Sequence, residues 1–261
     1  MPTAYGTEIV TALSAFVASF LSGLLGIGGG VVLTPLLLYL PPALGIGALP
    51  VKIITGLTIV QAISGSALGA FRHRSYGNVS ARLVLLMGPT GAAASLAGAL
   101  LSRDVSDRVL LGIYAVLAIA TAAMLLLPSV PQQRGTDDLH VNVPLAVGIS
   151  MVLGFLGGMV GIGALATVIG TLVYLLHVPP RIAIGSSLGI GMFAAVAALI
   201  GKAATAQIDF PLATLVAIVA LVASPIGAWL SIRTHPQVLL KILAAVVIVA
   251  ALRIAATAVF G

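Results

Sequence analysis

Two sets of residues in this 261-residue chain have the types and spacing to hold a small anion. The first is glycine: Gly28, Gly29 and Gly30 within residues 22–39 (SGLLGIGGGVVLTPLLLY), and Gly161 and Gly163 within residues 157–174 (GGMVGIGALATVIGTLVY). Neighbouring glycines interrupt a helix, and the backbone N–H groups they free can cradle an anion at the positive end of the half-helix that follows. The second set joins cations to hydroxyls. Lys52 and Arg181 each stand just ahead of a hydroxyl- and glycine-rich stretch, KIITGLT and RIAIGSSLG. Such cations would attract an anion towards Thr55, Thr58, Ser186 and Ser187.

Each feature also has a purely structural reading. The glycines satisfy the small-xxx-small spacing of packed membrane helices at Gly26/Gly30, Gly154/Gly158 and Gly157/Gly161. Lys52 and Arg181 could snorkel to headgroups, and the hydroxyls could bond back to their own helices. Gln61, Gln207 and Asn78 fit boundary or packing roles. Asp209, ahead of Phe210-Pro211, has the character of a helix N-cap.

Several chemistries find no support. Gly185–Gly189 (GSSLG) matches the serine-hydrolase pattern, but that motif needs a strand–turn–helix setting and here lies in an apolar run. The four histidines, His73, His140, His177 and His235, fall in loops or at segment ends, so an intramembrane hydrolase using Ser187 is the remotest alternative. Gly189-x-Gly191-x-x-Ala194 mimics a dinucleotide fingerprint with no strand before it. The sequence has no phosphate-binding lysine loop, no metal-ligand cluster and no cysteine, so no cofactor is expected.

Composition decides what must position these residues. With 60% hydrophobic and 7% charged residues and a mean hydropathy of +1.23, against about 25% charged in soluble domains, the chain is an integral membrane protein whose main partner is the lipid bilayer. The net charge of +6 comes from scattered Lys and Arg, not from one basic face, so no nucleic-acid partner is expected. The N-terminus lacks a basic region ahead of its apolar segment and is expected to be retained.

Apolar segments fall near residues 9–25, 31–40, 53–71, 83–101 and 109–127, then near 143–160, 164–176, 182–200, 211–230 and 238–258. The second segment should stop at Pro41 and Pro42. The polar stretch 128–142 reads as a linker between two repeats, 8–127 and 143–261. Gly158, Gly161, Ile162, Gly163, Leu172, Tyr174 and Leu175 stand 135 places after Gly23, Gly26, Ile27, Gly28, Leu37, Tyr39 and Leu40. Beyond the shorter second turn the offset becomes 129, placing Arg181 on Lys52, Gly185 on Gly56, Ser187 on Thr58 and Gly227 on Gly98.

An odd number of elements per repeat turns the second copy upside down relative to the first. The expected fold is therefore an all-α membrane protein, a polytopic bundle of two inverted five-element repeats with broken or re-entrant glycine-rich helices. Alternate loops place Arg72, Arg74, Arg82, Arg134, Arg181, Arg233 and Lys241 on one side and Lys52, Arg103, Arg108, Lys202 and Arg253 on the other, which puts the N-terminus outside.

The duplicated GLLGIGGG and GMVGIGAL elements, VLTPLLLYL after the first, and the starts at Lys52 and Arg181 resemble the sulfite exporter TauE/SafE family of membrane transporters. The likeness spans almost the whole chain. The second copy departs at Ala164 and Leu165, which replace two glycines. The resemblance implies a multi-pass bacterial inner-membrane carrier of sulfite or an organosulfonate, driven by an ion gradient, with protons first among the candidate coupling ions. A homodimer is compatible with it. The six acidic residues, Glu8, Asp104, Asp107, Asp137, Asp138 and Asp209, all lie outside segment centres, which argues against coupling through a buried acid. The main alternative is a passive channel for anions or small solutes.

Overall fold

Glycine, proline and short polar side chains set the ends of the helices. The structure, a computed structural model, describes residues 4–25, 29–75, 79–126, 141–161, 165–231, 248–249 and 253–254. Among these residues there is no strand. The helices are α1 (Ala4–Leu25), α2 (Gly30–Ala43), α3 (Val51–Ser75), α4 (Ala81–Leu101), α5 (Asp107–Leu126), α6 (Val143–Val160), α7 (Leu165–Tyr174), α8 (Pro180–Ala204) and α9 (Phe210–Ser231). Of the segment expected at 238–258 only residues 248–249 and 253–254 are described, and of the linker only residues 141–142.

Ser80 accepts from Leu83 N at 3.5 Å, Asn142 from Leu145 N at 3.2 Å and Asp209 from Leu212 N at 3.0 Å, satisfying amides that a first helical turn leaves open. α6 closes on Gly161, whose φ of +69° is the left-handed conformation glycine adopts without steric penalty.

Two of the boundaries that differ from the sequence expectation bear on the site. α2 runs through Pro41 and Pro42 to Ala43, because prolines in a last turn forfeit their own N–H groups while Leu44 N still closes on Leu40 O at 3.1 Å. α8 continues past Ile200 to Ala204 and so carries Lys202 inside the helix.

Among the described residues, six helices contain stretches long and apolar enough to cross a membrane: Tyr5–Leu24, Ala81–Leu101, Asp107–Met124, Val143–Val160, Ile182–Ala204 and Phe210–Gly227. Large apolar side chains are exposed along them, including Leu13, Phe16 and Val17 on α1 and Ile218, Leu221 and Val222 on α9. In water such a surface would aggregate; in a bilayer it meets lipid. α2 and α7, of 14 and 10 residues, extend only about 21 and 15 Å against a hydrocarbon core of about 30 Å.

Glycines bring backbones into contact where helices cross. A Cβ at Gly23 would overlap Ser224 O, and one at Gly158 would overlap Ser95 O. A Cβ at Gly227 would overlap Phe20 O, and one at Gly98 would overlap Phe155 O. Gly158 and Phe155 follow Gly23 and Phe20 by 135, and Ser224 and Gly227 follow Ser95 and Gly98 by 129. The α1–α9 contact is thus matched, position for position, by the α6–α4 contact.

Pro35 leaves a defect inside α2, since it offers no N–H to the carbonyl of Val31 four residues before it. Tyr114 of α5, 1% exposed, donates its hydroxyl to that oxygen at 2.6 Å. A polar side chain from a neighbouring helix thereby repairs the short helix after the first glycine turn.

Candidate functional site

The polar residues of α3 recur at every third position, Thr55, Thr58 and Gln61, and all are buried. The described edges of both glycine turns, Gly29 and Gly161, pack on this stripe. A Cβ at Gly161 would overlap Thr55 O and come within 2.5 Å of Thr58 Oγ1, while one at Gly29 would overlap Gln61 Nε2 and lie 2.8 Å from Ala18 O. Thr58 and Gln61 are about 4.5 Å apart along the helix at 1.5 Å per residue. The described edges of the two turns therefore meet on adjacent turns of one helix.

Gln61 is 1% exposed and its Nε2 donates to Ser19 Oγ at 3.2 Å, whereas its Oε1 has no hydrogen-bond partner among the described residues. A buried acceptor left open costs about 1–3 kcal/mol, so its retention beside the first turn favours a role for it there.

At the second turn the dominant group is Lys202. Its side chain is fully buried, and Nζ bonds Thr55 Oγ1 at 2.9 Å, Ser102 Oγ at 2.8 Å, Met159 O at 3.0 Å and Gln207 Oε1 at 2.8 Å. All four partners are neutral oxygens. Thr55 and Ser102 belong to the first half of the chain, Met159 and Gln207 to the second. Nζ sits where α4, α6 and α8 end, so three negative helix ends, and no carboxylate, favour a positive charge there. Gln207 is held in turn, its Nε2 donating to Ala99 O at 3.2 Å and Thr205 Oγ1 at 2.7 Å.

These contacts also fix helix directions. α3 and α9 set off from the end of the bundle where α4 and α8 finish. At the opposite end Ser80 N donates to Ser186 Oγ at 2.9 Å, joining the start of α4 to the first turns of α8. Between the ends, α3, α4, α6, α7 and α8 line a mainly apolar, partly open cavity of about 30 Å³, with Ile59, Met87, Leu153, Val168, Ile190 and Ala194 among its residues. It has room for about one water molecule.

Residues 11–254 match the family described as Sulfite exporter TauE/SafE. The chain belongs to this family. Three relatives carry the description probable membrane transporter protein. YunE of Bacillus subtilis (strain 168) is 26% identical over 208 residues, 69% of this chain and 72% of that protein. One from Xylella fastidiosa (strain 9a5c) is 26% identical over 195 residues, 73% and 72% of the two chains. One from Methanocaldococcus jannaschii is 22% identical over 232 residues, 85% of each. No solved structure matches. This TauE/SafE chain is a multi-pass membrane transporter by family and by its spanning helices.

The site residues expected from sequence divide as follows. Gly29, Thr55, Thr58 and Gly161 lie at or beside the α3 stripe, and Gly30, next after Gly29, opens α2. Lys52 donates its ammonium to Arg103 O. The hydroxyls of Thr55, Thr58 and Ser187 bond back to Lys52 O, Thr55 O and Ile184 O, each at 2.8 Å. Ser186 and Ser187 stand towards the start of α8, at the other end of α4 from Thr55. Gly28, Gly163 and the Arg181 side chain lie outside the described residues. Lys202 and Gln207 are the residues that sequence reasoning missed as a site. The signal available was a lone lysine five places before a lone glutamine, but ending α8 at Ile200 made Lys202 a loop charge.

Proposed function

We propose that this protein is a secondary transporter that carries a small oxyanion, sulfite or an organosulfonate, across the bacterial inner membrane by alternating access of two inverted halves. The single observation that carries the reading is the meeting of Gly29 and Gly161 on the Thr55–Thr58–Gln61 stripe. Two interrupted helices opening on one polar stripe, with a buried ammonium on Thr55, make a place for a negative guest.

The inversion is supported by the matched α1–α9 and α6–α4 contacts and by the opposite directions of the equivalent helices α3 and α8, and α4 and α9. In this reading the halves move against each other to pass the guest, as a carrier does and an open channel does not. The short helices α2 and α7 serve as re-entrant pieces that bring their turns to the guest.

The experiment is counterflow in proteoliposomes preloaded with unlabelled sulfite, thiosulfate, sulfoacetate, sulfolactate or simple carboxylates. Accumulation of labelled sulfite or sulfonate against its gradient is the expected result. Flux that only follows the gradient would establish the channel, and uptake confined to carboxylates, cations or neutral solutes would overturn the substrate class.

A further inference from the structure

We propose that Lys202 carries the coupling proton: its ε-amine takes up a proton together with the oxyanion on one side of the membrane and gives up both on the other. This rests on the transport reading above and names the group that couples it.

The four oxygens around Nζ fall into two kinds. Met159 O is an acceptor only, and Gln207 Oε1 is fixed as an acceptor because its own amide nitrogen is engaged by Ala99 O and Thr205 Oγ1. These two suit the pair of N–H groups that a lysine keeps in either protonation state. The other two, Thr55 Oγ1 and Ser102 Oγ, are hydroxyls that accept or donate by rotation. In the ammonium state they accept the third N–H, and their own protons go to Lys52 O from Thr55 and to Ala99 O or Gln207 Oε1 from Ser102. In the amine state either can turn and donate to the lone pair on Nζ. The shell is thus complete with the proton and without it, which a carboxylate partner would not permit.

The charged groups around it do not take over this task. On α3, Lys52 donates to Arg103 O. After α4, Arg103 and Asp104 are exposed, as are Asp107 and Arg108 at the start of α5. Asp209 caps α9, and the last turns of α6 carry no ionisable side chain. The buried phenol of Tyr114 is committed to Val31 O.

The cycle balances. The lone pair on Nζ binds a proton from the medium, the ammonium and the oxyanion cross as a neutral pair, and the proton and anion leave, restoring a neutral amine for the return. One proton therefore moves with each singly charged anion, without a buried acid.

Lys202→Arg separates this role from a structural one, because a guanidinium keeps its proton throughout. The probes are labelled sulfite and ethanesulfonate in proteoliposomes with an internal pH dye; ethanesulfonate brings no proton of its own. For wild type the expected result is uptake of the carried probe with acidification of the lumen in step. For Lys202→Arg it is a loss of net uptake and acidification larger than any loss of counterflow, since the empty carrier stays charged. Proton-coupled net uptake by Lys202→Arg, or wild-type uptake without acidification, overturns the proposal. If Lys202→Arg loses counterflow as well, Thr55→Val decides. A displaced pH profile of uptake supports the proposal, and an unchanged one overturns it. Failure of wild-type counterflow itself removes the transport reading and this inference with it.

Discussion

Gly161→Ala puts the strongest strain on the meeting of the two turns. The residue sits at φ +69°, where an L side chain costs roughly 1–2 kcal/mol. Its new methyl would also overlap Thr55 O and crowd Thr58 Oγ1, and overpacking of this kind adds about 1–3 kcal/mol. The combined loss of about 2–5 kcal/mol corresponds to a fall in melting temperature on the order of 5–15 °C. Gly148 supplies the control on the same helix, because a Cβ there meets nothing within 4 Å. Gly148→Ala should be neutral or stabilise by up to about 1 kcal/mol through helix propensity alone. Thermal melts in detergent with paired transport assays read both effects. Gly161→Ala should melt well below wild type and transport poorly, while Gly148→Ala should do neither. Equal melting temperatures and equal transport for the two variants would refute the claim that α6 ends on α3 in this way.

Three further outcomes follow from particular contacts. Tyr114→Phe should destabilise by about 1–3 kcal/mol by leaving Val31 O bare, and adding Pro35→Ala should recover much of that, since the second substitution brings back the missing N–H; simple additivity in thermal melts contradicts the repair. Gly98→Ala and Gly227→Ala should cost similar amounts, about 1–3 kcal/mol each, because both overlap a phenylalanine carbonyl at matched crossings; a silent variant at either site breaks the match. Gln61→Leu removes an unsatisfied buried acceptor and should leave the melting temperature unchanged or raised while abolishing uptake. Full transport by Gln61→Leu would show that the amide has no part in the guest's path.

Much of this architecture was legible in the sequence because glycine and proline act locally. The apolar runs set α4 to α7 and α9 to within a few residues, and the 135 and 129 offsets pair the glycines, Gly23 with Gly158 and Gly98 with Gly227, that the structure places at the matched crossings. What escaped was decided by tertiary contact. Pro41 and Pro42 did not end α2, since a last turn tolerates lost N–H groups when the following residues close it. The ending of α8 was misjudged because a single lysine looks like a boundary in a hydropathy pattern. Only three helix ends arriving together, with the Thr55 hydroxyl from the start of α3 and the Gln207 amide, make Lys202 a habitable interior charge. That convergence joins residues 55, 102, 159, 202 and 207, which no local pattern links. Likewise, equal spacing ahead of Thr58 and Ser187 did not reveal that they face opposite ends of the bundle.

Residues Ala81 and Phe210 open α4 and α9, are both exposed, and stand 129 places apart. The chain has no native cysteine, so Ala81→Cys and Phe210→Cys each introduce a single reactive thiol. Labelling them with a membrane-impermeant maleimide, in right-side-out and inverted vesicles, measures the relation between the two halves. With inverted halves, each position reacts in one vesicle type only, and the two react in opposite types. Reaction of both from the same side would contradict it.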